Sequence, residues 1–381
     1  MLLKLGGTSN HPQKIIDWGC RALAKTALYG KQIVSAYTHR APRYSYFFGS
    51  SNGGRDALMA VQRYPNAFDG VIADAPSADW TDNAFSWLWS EDAEFGNPAA
   101  TIAAAKLPAI QAAALAQCDA KDSTVDGVVN DPRLCRFDPS VLLCSAAETD
   151  SCLTAEQIMA LDSILSGPVN PRTGQRIYPG FEPFAVATPT FWDRWVTGNA
   201  TVPGGGHALL ANHFFANMVF NTDSASFDHT KVNFDGDVAL TNRTSIAGQW
   251  LSHVINATSP DLSRLRQRRS RPGCAAYAPA MQLSAIGAVD WAWRLQPGAE
   301  LRLSRFAPWC VPRQRGCWIA ALNSSAGSSL GTTRMVRHVR TWRIDQEQAQ
   351  GARRTGARID EGPLPRPRVL PYRHPVAWPR R

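Results

Sequence analysis

Apolar residues recur at Ile15, Ile16, Ala22, Leu23 and Ala27, a repeat that predicts a helix over residues 14–37. The period then shortens. Tyr44-Ser45-Tyr46-Phe47-Phe48 is an aromatic-rich run that reads as a buried strand. Ala57, Leu58, Val61 and Tyr64 return to helical spacing between Arg55 and Tyr64, where Pro65 closes the pattern. Gly70-Val71-Ile72-Ala73 reads as a second strand, ending at Ala75-Pro76. Strand, helix and strand in some thirty residues form a βαβ unit, hence an α/β fold with a parallel sheet.

From Trp80 the pattern changes again. Phe85, Leu88 and Trp89 share one helical face, which reads as core or as the wall of a substrate pocket. Residues 99–117 predict an alanine-rich helix, and 118–180 are acidic, cysteine-bearing and rich in turn residues. We divide the chain into a core at 1–79, an inserted domain over the sheet at 80–235, a return to the core at 236–263, and a tail at 264–381.

The turn between the first strand and its helix carries the candidate chemistry. Gly49-Ser50-Ser51-Asn52-Gly53 is a G-x-S-x-G sequence in the strand-to-helix setting of a nucleophile elbow. Such a turn lifts the Ser51 hydroxyl above the sheet and aims the Asn52 N–H at an oxyanion forming on a substrate carbonyl. An ordinary glycine turn is the alternative.

Charge divides the chain. The net charge of +9 is the sum of −7 over residues 1–263 and +16 over 264–381, where 22 arginines stand with no lysine and six acids. Such a tail could attract phosphate, yet no recognisable nucleic-acid motif accompanies it. No apolar run reads as long enough to span a membrane, so no membrane partner is expected. The apolar stretch at Met1-Leu2-Leu3 is too short for a signal peptide.

Four of the eight cysteines, Cys118, Cys135, Cys144 and Cys152, lie in one loop-like passage. They suggest disulfides and an oxidising compartment; a zinc site would call for C-x-x-C pairs or a nearby histidine, and neither is present. Asp119, Asp122 and Asp126 share the passage. Three carboxylates that close repel one another unless a cation neutralises them, and hard oxygens suit Ca²⁺. A solvated acidic loop would need only the same residues.

Together these motifs resemble the tannase and feruloyl esterase family, secreted serine esterases of the α/β-hydrolase fold. One block is Tyr46-Phe47-Phe48-Gly49-Ser50-Ser51-Asn52-Gly53-Gly54-Arg55 with Gln62-Arg63-Tyr64-Pro65, Phe68-Asp69-Gly70 and Ala75-Pro76. A second is Cys118-Asp119, Asp126-Gly127-Val128, Cys135-Arg136-Phe137-Asp138-Pro139 and Cys152-Leu153-Thr154. A third is Ala257-Thr258-Ser259-Pro260-Asp261-Leu262-Ser263. The resemblance covers 14–263. It implies an α/β-hydrolase core, truncated at its N-terminus and interrupted by a lid at 80–235. It implies Ser51 as nucleophile attacking carboxylic esters of phenolic acids, with an aromatic ester as small-molecule partner. It also implies structural Ca²⁺ on Asp119, Asp122 and Asp126 with the carbonyls of Thr124 and Val128, disulfides Cys118–Cys135 and Cys144–Cys152, and secretion.

The departures are informative. Ser50 stands where the family has a cysteine bridged to one beside the catalytic histidine. The family's glycine-rich oxyanion segment has no counterpart before residue 14, and neither the histidine block nor the acid block is found after Ser263. Lysine-free, arginine-rich sequence is what a GC-rich gene yields out of frame. Shifting Pro308–Gly316 by one base permits Pro-Gly-Val-Tyr-His-Val-Ser-Gly-Gly, whose histidine falls across Pro312 and Arg313; a different shift near Ala280-Met281 permits Gly-Asp-Ala-Ala-Phe-Ser. The tail therefore reads as irregular or misread, with a genuine arginine-rich extension as the other reading. The in-frame histidines (His11, His39, His207, His213, His229, His253, His338 and His374) carry no recognisable orienting acid and read as structural or exposed. Two rival functions remain: an inactive relative lacking the triad's histidine and acid, and nucleic-acid binding through the tail.

Overall fold

The computed structural model describes residues 10–129, 131–222, 227–261 and Arg264, together with the backbone of 275–278, 308–310 and 319–322. The chain divides into units at Met1–Ala326 and Gly327–Arg381, and the second lies outside the described residues. The opening helix is built in three pieces: α1 (Pro12–Ile16), a π-turn at Asp17–Arg21, and α2 (Ala22–Thr38). The bulge turns Gly19 onto the Val254 carbonyl, where a Cβ would stand 2.7 Å from the oxygen.

β1 (Tyr46–Ser50), α3 (Asn52–Arg63) and β2 (Gly70–Asp74) form the expected βαβ unit, with β1 and β2 parallel in the register Tyr46 opposite Gly70. α3 starts three residues earlier than its apolar pattern indicates, because Asn52 opens it directly from the turn. Its inner face buries Ala57, Leu58, Met59 and Val61 against Val71, Ala73 and Ala257. Fully burying a side chain such as Leu58 contributes about 1.5–3 kcal/mol.

Next come α4 (Trp80–Phe95), α5 (Leu107–Cys118), α6 (Ala155–Ser166), α7 (Trp192–Trp195), α8 (Gly206–Phe214), α9 (Asp237–Arg243), the short hairpin β3 (Ser245–Ile246) and β4 (Gln249–Trp250), and α10 (Leu251–Ile255). These helices share a second core. Phe85 and Leu88 are fully buried in it, so the stripe seen in the sequence is core. Trp89 stands at its margin, its indole N–H donating to the Ser163 carbonyl at 3.0 Å.

Residues 99–117 do not form the continuous helix that their alanine content predicts. Short 3₁₀ turns at Pro98–Ala100 and Ala104–Lys106 precede α5, with Thr101 and Ala103 extended between them. Glu94 Oε1 accepts the Ile102 N–H at 2.7 Å, and Gln157 Nε2 takes the Thr101 carbonyl at 3.1 Å. Tertiary hydrogen bonds thus replace helical ones. The expectation that no stretch is long enough to span a membrane also needs correction. Pro98–Asp122 is long enough and apolar enough to cross a membrane by length and composition alone. Its α-helical part is only the 12 residues of α5, about 18 Å at 1.5 Å per residue, and Ile110, Ala114 and Cys118 on it are buried in the core.

Both disulfides form as the resemblance implies, Cys118–Cys135 and Cys144–Cys152, with Cα–Cα distances of 5.5 and 5.0 Å. A bridge closing a loop of about 15 residues constrains the unfolded chain by about 3 kcal/mol. Beyond β2 the sheet continues through β5 (Ala275–Ala278), β6 (Pro308–Cys310) and β7 (Ile319–Leu322) in the order β1-β2-β5-β7-β6. β5 runs parallel to β2, and β7 parallel to β5.

Candidate active site

Ser51 sits between β1 and α3 with φ 58° and ψ −119°, a left-handed conformation that costs an L-residue about 1–3 kcal/mol. Three backbone hydrogen bonds hold it there. Its N–H donates to the Asp74 carbonyl at 3.0 Å, and its carbonyl accepts from Arg55 N at 3.1 Å and Ser77 N at 3.4 Å. Ala75 beside this clamp is also left-handed, at φ 50°. The turn closes so tightly that a Cβ on Gly49 would stand 2.1 Å from the Gly53 carbonyl oxygen. One on Gly54 would stand 2.2 Å from that of Asp74. Glycine is therefore required at both, and an ordinary loose turn does not fit.

Ser51 is exposed, while Asn52 opens α3, whose first-turn N–H groups have no partner within the helix. A hydroxyl on a strained apex beside free helix N–H groups can attack a carbonyl whose oxygen those groups then stabilise. Among the described residues no hydrogen bond reaches the Ser51 hydroxyl. Ser50 is the last residue of β1 and stays extended.

The histidines lie elsewhere. His207 is buried, stacked on Trp87 at 5.3 Å and Phe181 at 5.5 Å, and burial pulls its pKa down to about 3. His229 lies 3.7 Å from Glu91 and 3.5 Å from Asp92, bracing its segment against α4. His253 gives its carbonyl to Arg63. His11 precedes α1 and makes no side-chain cap there, and His39 is the left-handed residue that ends α2. His338, His374 and the frame-shifted blocks at 280–281 and 311–316 lie outside the described residues.

The acidic loop begins with the 3₁₀ turn Asp119–Asp122. Asp119 Oδ2 accepts the Gly127 N–H at 2.9 Å, while Oδ1 is buried without a hydrogen-bond partner. Asp122 Oδ1 accepts from Thr124 N and Asp126 Oδ1 from Val128 N, each at 3.1 Å. Among the described residues, no three His, Cys, Asp or Glu side chains are gathered as a metal site. The orphaned Asp119 oxygen is nevertheless what a hard cation would satisfy, so the oxygen chemistry fits calcium.

Sequence reasoning placed Arg55 only inside a motif. The structure buries it completely between the elbow helix and the π-turn, its guanidinium 4.4 Å over the Trp18 ring. Burial lowers its pKa and raises that of Asp56, whose carboxylate it meets at 2.8 Å. No sequence signal distinguishes such an arginine from a solvated one. Nearby, burial and a hydrogen bond with the Cys20 thiol push Tyr64 up to about 12.

A sheet in which β1, β2, β5 and β7 run parallel, with a tight G-x-S-x-G turn between β1 and α3, is the α/β-hydrolase arrangement. The sequence matches the tannase and feruloyl esterase family over residues 5–272, and the chain belongs to that family. It is 73% identical over 261 residues to an uncharacterised esterase of Xanthomonas campestris pv. campestris, covering 68% of this chain and 45% of that one. It is 32% identical over 186 residues to a probable feruloyl esterase B-1 of Aspergillus fumigatus, covering 48% of this chain and 35% of the relative. The fold is also that of feruloyl esterase B from Aspergillus oryzae, with a TM-score of 0.65 at 20% identity over 83% of this chain and 59% of that one. The chain thus spans less than half the length of either of these two sequence relatives.

Proposed function

We propose that this protein is built for carboxylic ester hydrolysis on phenolic-acid esters, through a seryl-acyl enzyme formed on Ser51. The left-handed backbone of Ser51 carries this reading. Ser51 Oγ adds to the ester carbonyl, and the Asn52 N–H donates to the oxyanion that forms. Collapse expels the alcohol and leaves the acyl group on Ser51; water then releases the acid. A base must accept the hydroxyl proton in the first step and return it to the leaving alcohol. Kinship with a probable feruloyl esterase supports an aromatic acyl group, and the aromatic-rich helical layer would act as the lid that selects it. Two disulfides suit an extracellular protein.

In any active form of the protein a fluorophosphonate should label Ser51, identified by mass spectrometry of the tryptic peptide. A label on Ser50 or another serine would overturn the elbow reading. The second reading, an inactive relative, is favoured by one observation: no described histidine bonds to the Ser51 hydroxyl. An esterase assay on the purified chain separates the two.

Calcium is proposed as structural, held by Asp119, Asp122 and Asp126 with the carbonyls of Thr124 and Val128. When bound, it would neutralise the carboxylates and stiffen the loop that the Cys118–Cys135 disulfide closes. Adding a chelator should lower the melting temperature, and Asp122→Ala should abolish that response. Identical melting with and without calcium would refute the site.

A further inference from the structure

Arg55 has five guanidinium N–H groups, and the structure provides five acceptors. Nε donates to Asn52 Oδ1 at 3.0 Å. One terminal nitrogen donates to the carbonyls of Gly19 at 2.8 Å and Ile255 at 2.9 Å. The other donates to the Trp18 carbonyl at 3.1 Å and to Asp56 Oδ1 at 2.8 Å. Asp56 Oδ2 in turn receives Asn52 Nδ2 at 3.4 Å. The Asn52 side chain is therefore gripped from both ends by residues one helical turn further on.

The other acceptors belong to distant parts of the chain. Trp18 and Gly19 lie on the π-turn, and Ile255 ends α10, at the point where the chain leaves the helical layer. There Asn256 Oδ1 accepts the N–H groups of Trp80 and Thr81 at 3.0 and 3.2 Å, and Ala257 N donates to the Ala78 carbonyl at 2.8 Å. The entry and exit of the helical layer are thus tied together, and Arg55 ties the exit to the elbow helix. Gln62 makes a separate tie, donating to the Ala257 carbonyl at 2.7 Å without touching Asn52.

We propose that Arg55 is a positioning residue that fixes the oxyanion residue Asn52 and, through the same planar group, locks the exit of the helical layer onto the elbow. This rests on the reading of Ser51 and Asn52 as the elbow. Only a guanidinium can do both. A lysine ammonium offers three donors from one point and cannot reach acceptors on three segments. The aromatic face of Trp18 fixes the plane in which the fork lies.

Three variants of the full chain test this, read by hydrogen–deuterium exchange and by the rate of fluorophosphonate labelling at Ser51. In Arg55→Lys, peptides covering 50–56 and 253–258 should lose protection together while 118–152 stays protected, and labelling should slow about 100-fold. Asn52→Leu keeps the backbone N–H but removes the acceptor. It should loosen 50–56 alone and slow labelling about 10-fold, and it decides the question should Arg55→Lys fail to fold. Gln62→Leu should loosen 257–261 and leave labelling within about threefold of the starting protein. Wild-type protection at 50–56 in Asn52→Leu would overturn the proposal, as would loosening of 253–258 without 50–56 in Arg55→Lys. If no form labels at Ser51, the missing base expected for this chain accounts for it, and the exchange pattern alone decides the role of Arg55.

Discussion

The 381-residue chain is expected to hydrolyse phenolic esters at a rate near background. Among the described residues nothing accepts the proton of the Ser51 hydroxyl, and loss of a triad's base or acid typically costs on the order of 10⁴–10⁶ in kcat. Residual rate would come from binding and from the Asn52 N–H, since an oxyanion donor contributes about 10²–10³. A protein expressed from a gene with its frame restored after codon 263 should regain activity, and Ser51→Ala in that protein should remove it. Assays of the two proteins with one chromogenic phenolic ester suffice. Vigorous turnover by the 381-residue chain, abolished by Ser51→Ala, would show that a base lies within it and that residues 264–381 are genuine protein. In that event the tail's charge of +16 would invite a salt-dependent binding test with DNA.

The second large effect concerns acid stability. His207 lies buried among Trp87, Phe181 and Trp195, its Nδ1 without a partner, and burial holds its pKa at about 3 against an ordinary 6.5. The folded state therefore binds fewer protons than the unfolded state between those values. Stability from this group is complete above pH 6.5 and is lost as pH falls through the window, at about 1.4 kcal/mol per pH unit. Glu94 behaves oppositely. Burial raises it to about 8 from 4.5, so its contribution is complete below 4.5 and lost as pH rises toward 8. His207→Phe keeps an aromatic ring in the stack and should flatten the acid limb of a urea-denaturation series, while Glu94→Gln should flatten the alkaline limb. An unchanged acid limb in His207→Phe would show that other groups govern acid unfolding.

The legible parts of the site were local. Gly49, Ser51, Gly53 and Gly54 constrain one turn, and a turn's backbone geometry is set by the residues in it. The structure bears this out: Ser51 is left-handed, and Gly49 and Gly54 have no room for a Cβ. The cysteine pairing followed from family resemblance, since four cysteines in one passage permit three pairings and spacing alone does not choose among them. Residues 99–117 misled for the opposite reason. Alanine favours helix wherever nothing competes, and here Glu94 and Gln157 compete for the backbone of Thr101 and Ile102.

By itself the sequence determined the βαβ unit, the tight turn at Ser51 and the buried stripe of α4, because hydrophobic period and turn chemistry act over a few residues. Only the tertiary structure decided that Arg55 is a five-bonded post rather than a surface charge, that His207 is neutral core, and that the Asp74 carbonyl anchors the turn at Ser51. Each of those depends on atoms brought close from distant positions, up to 200 residues away along the chain. Burial and electrostatics are set by that closeness, and residue type alone does not contain it.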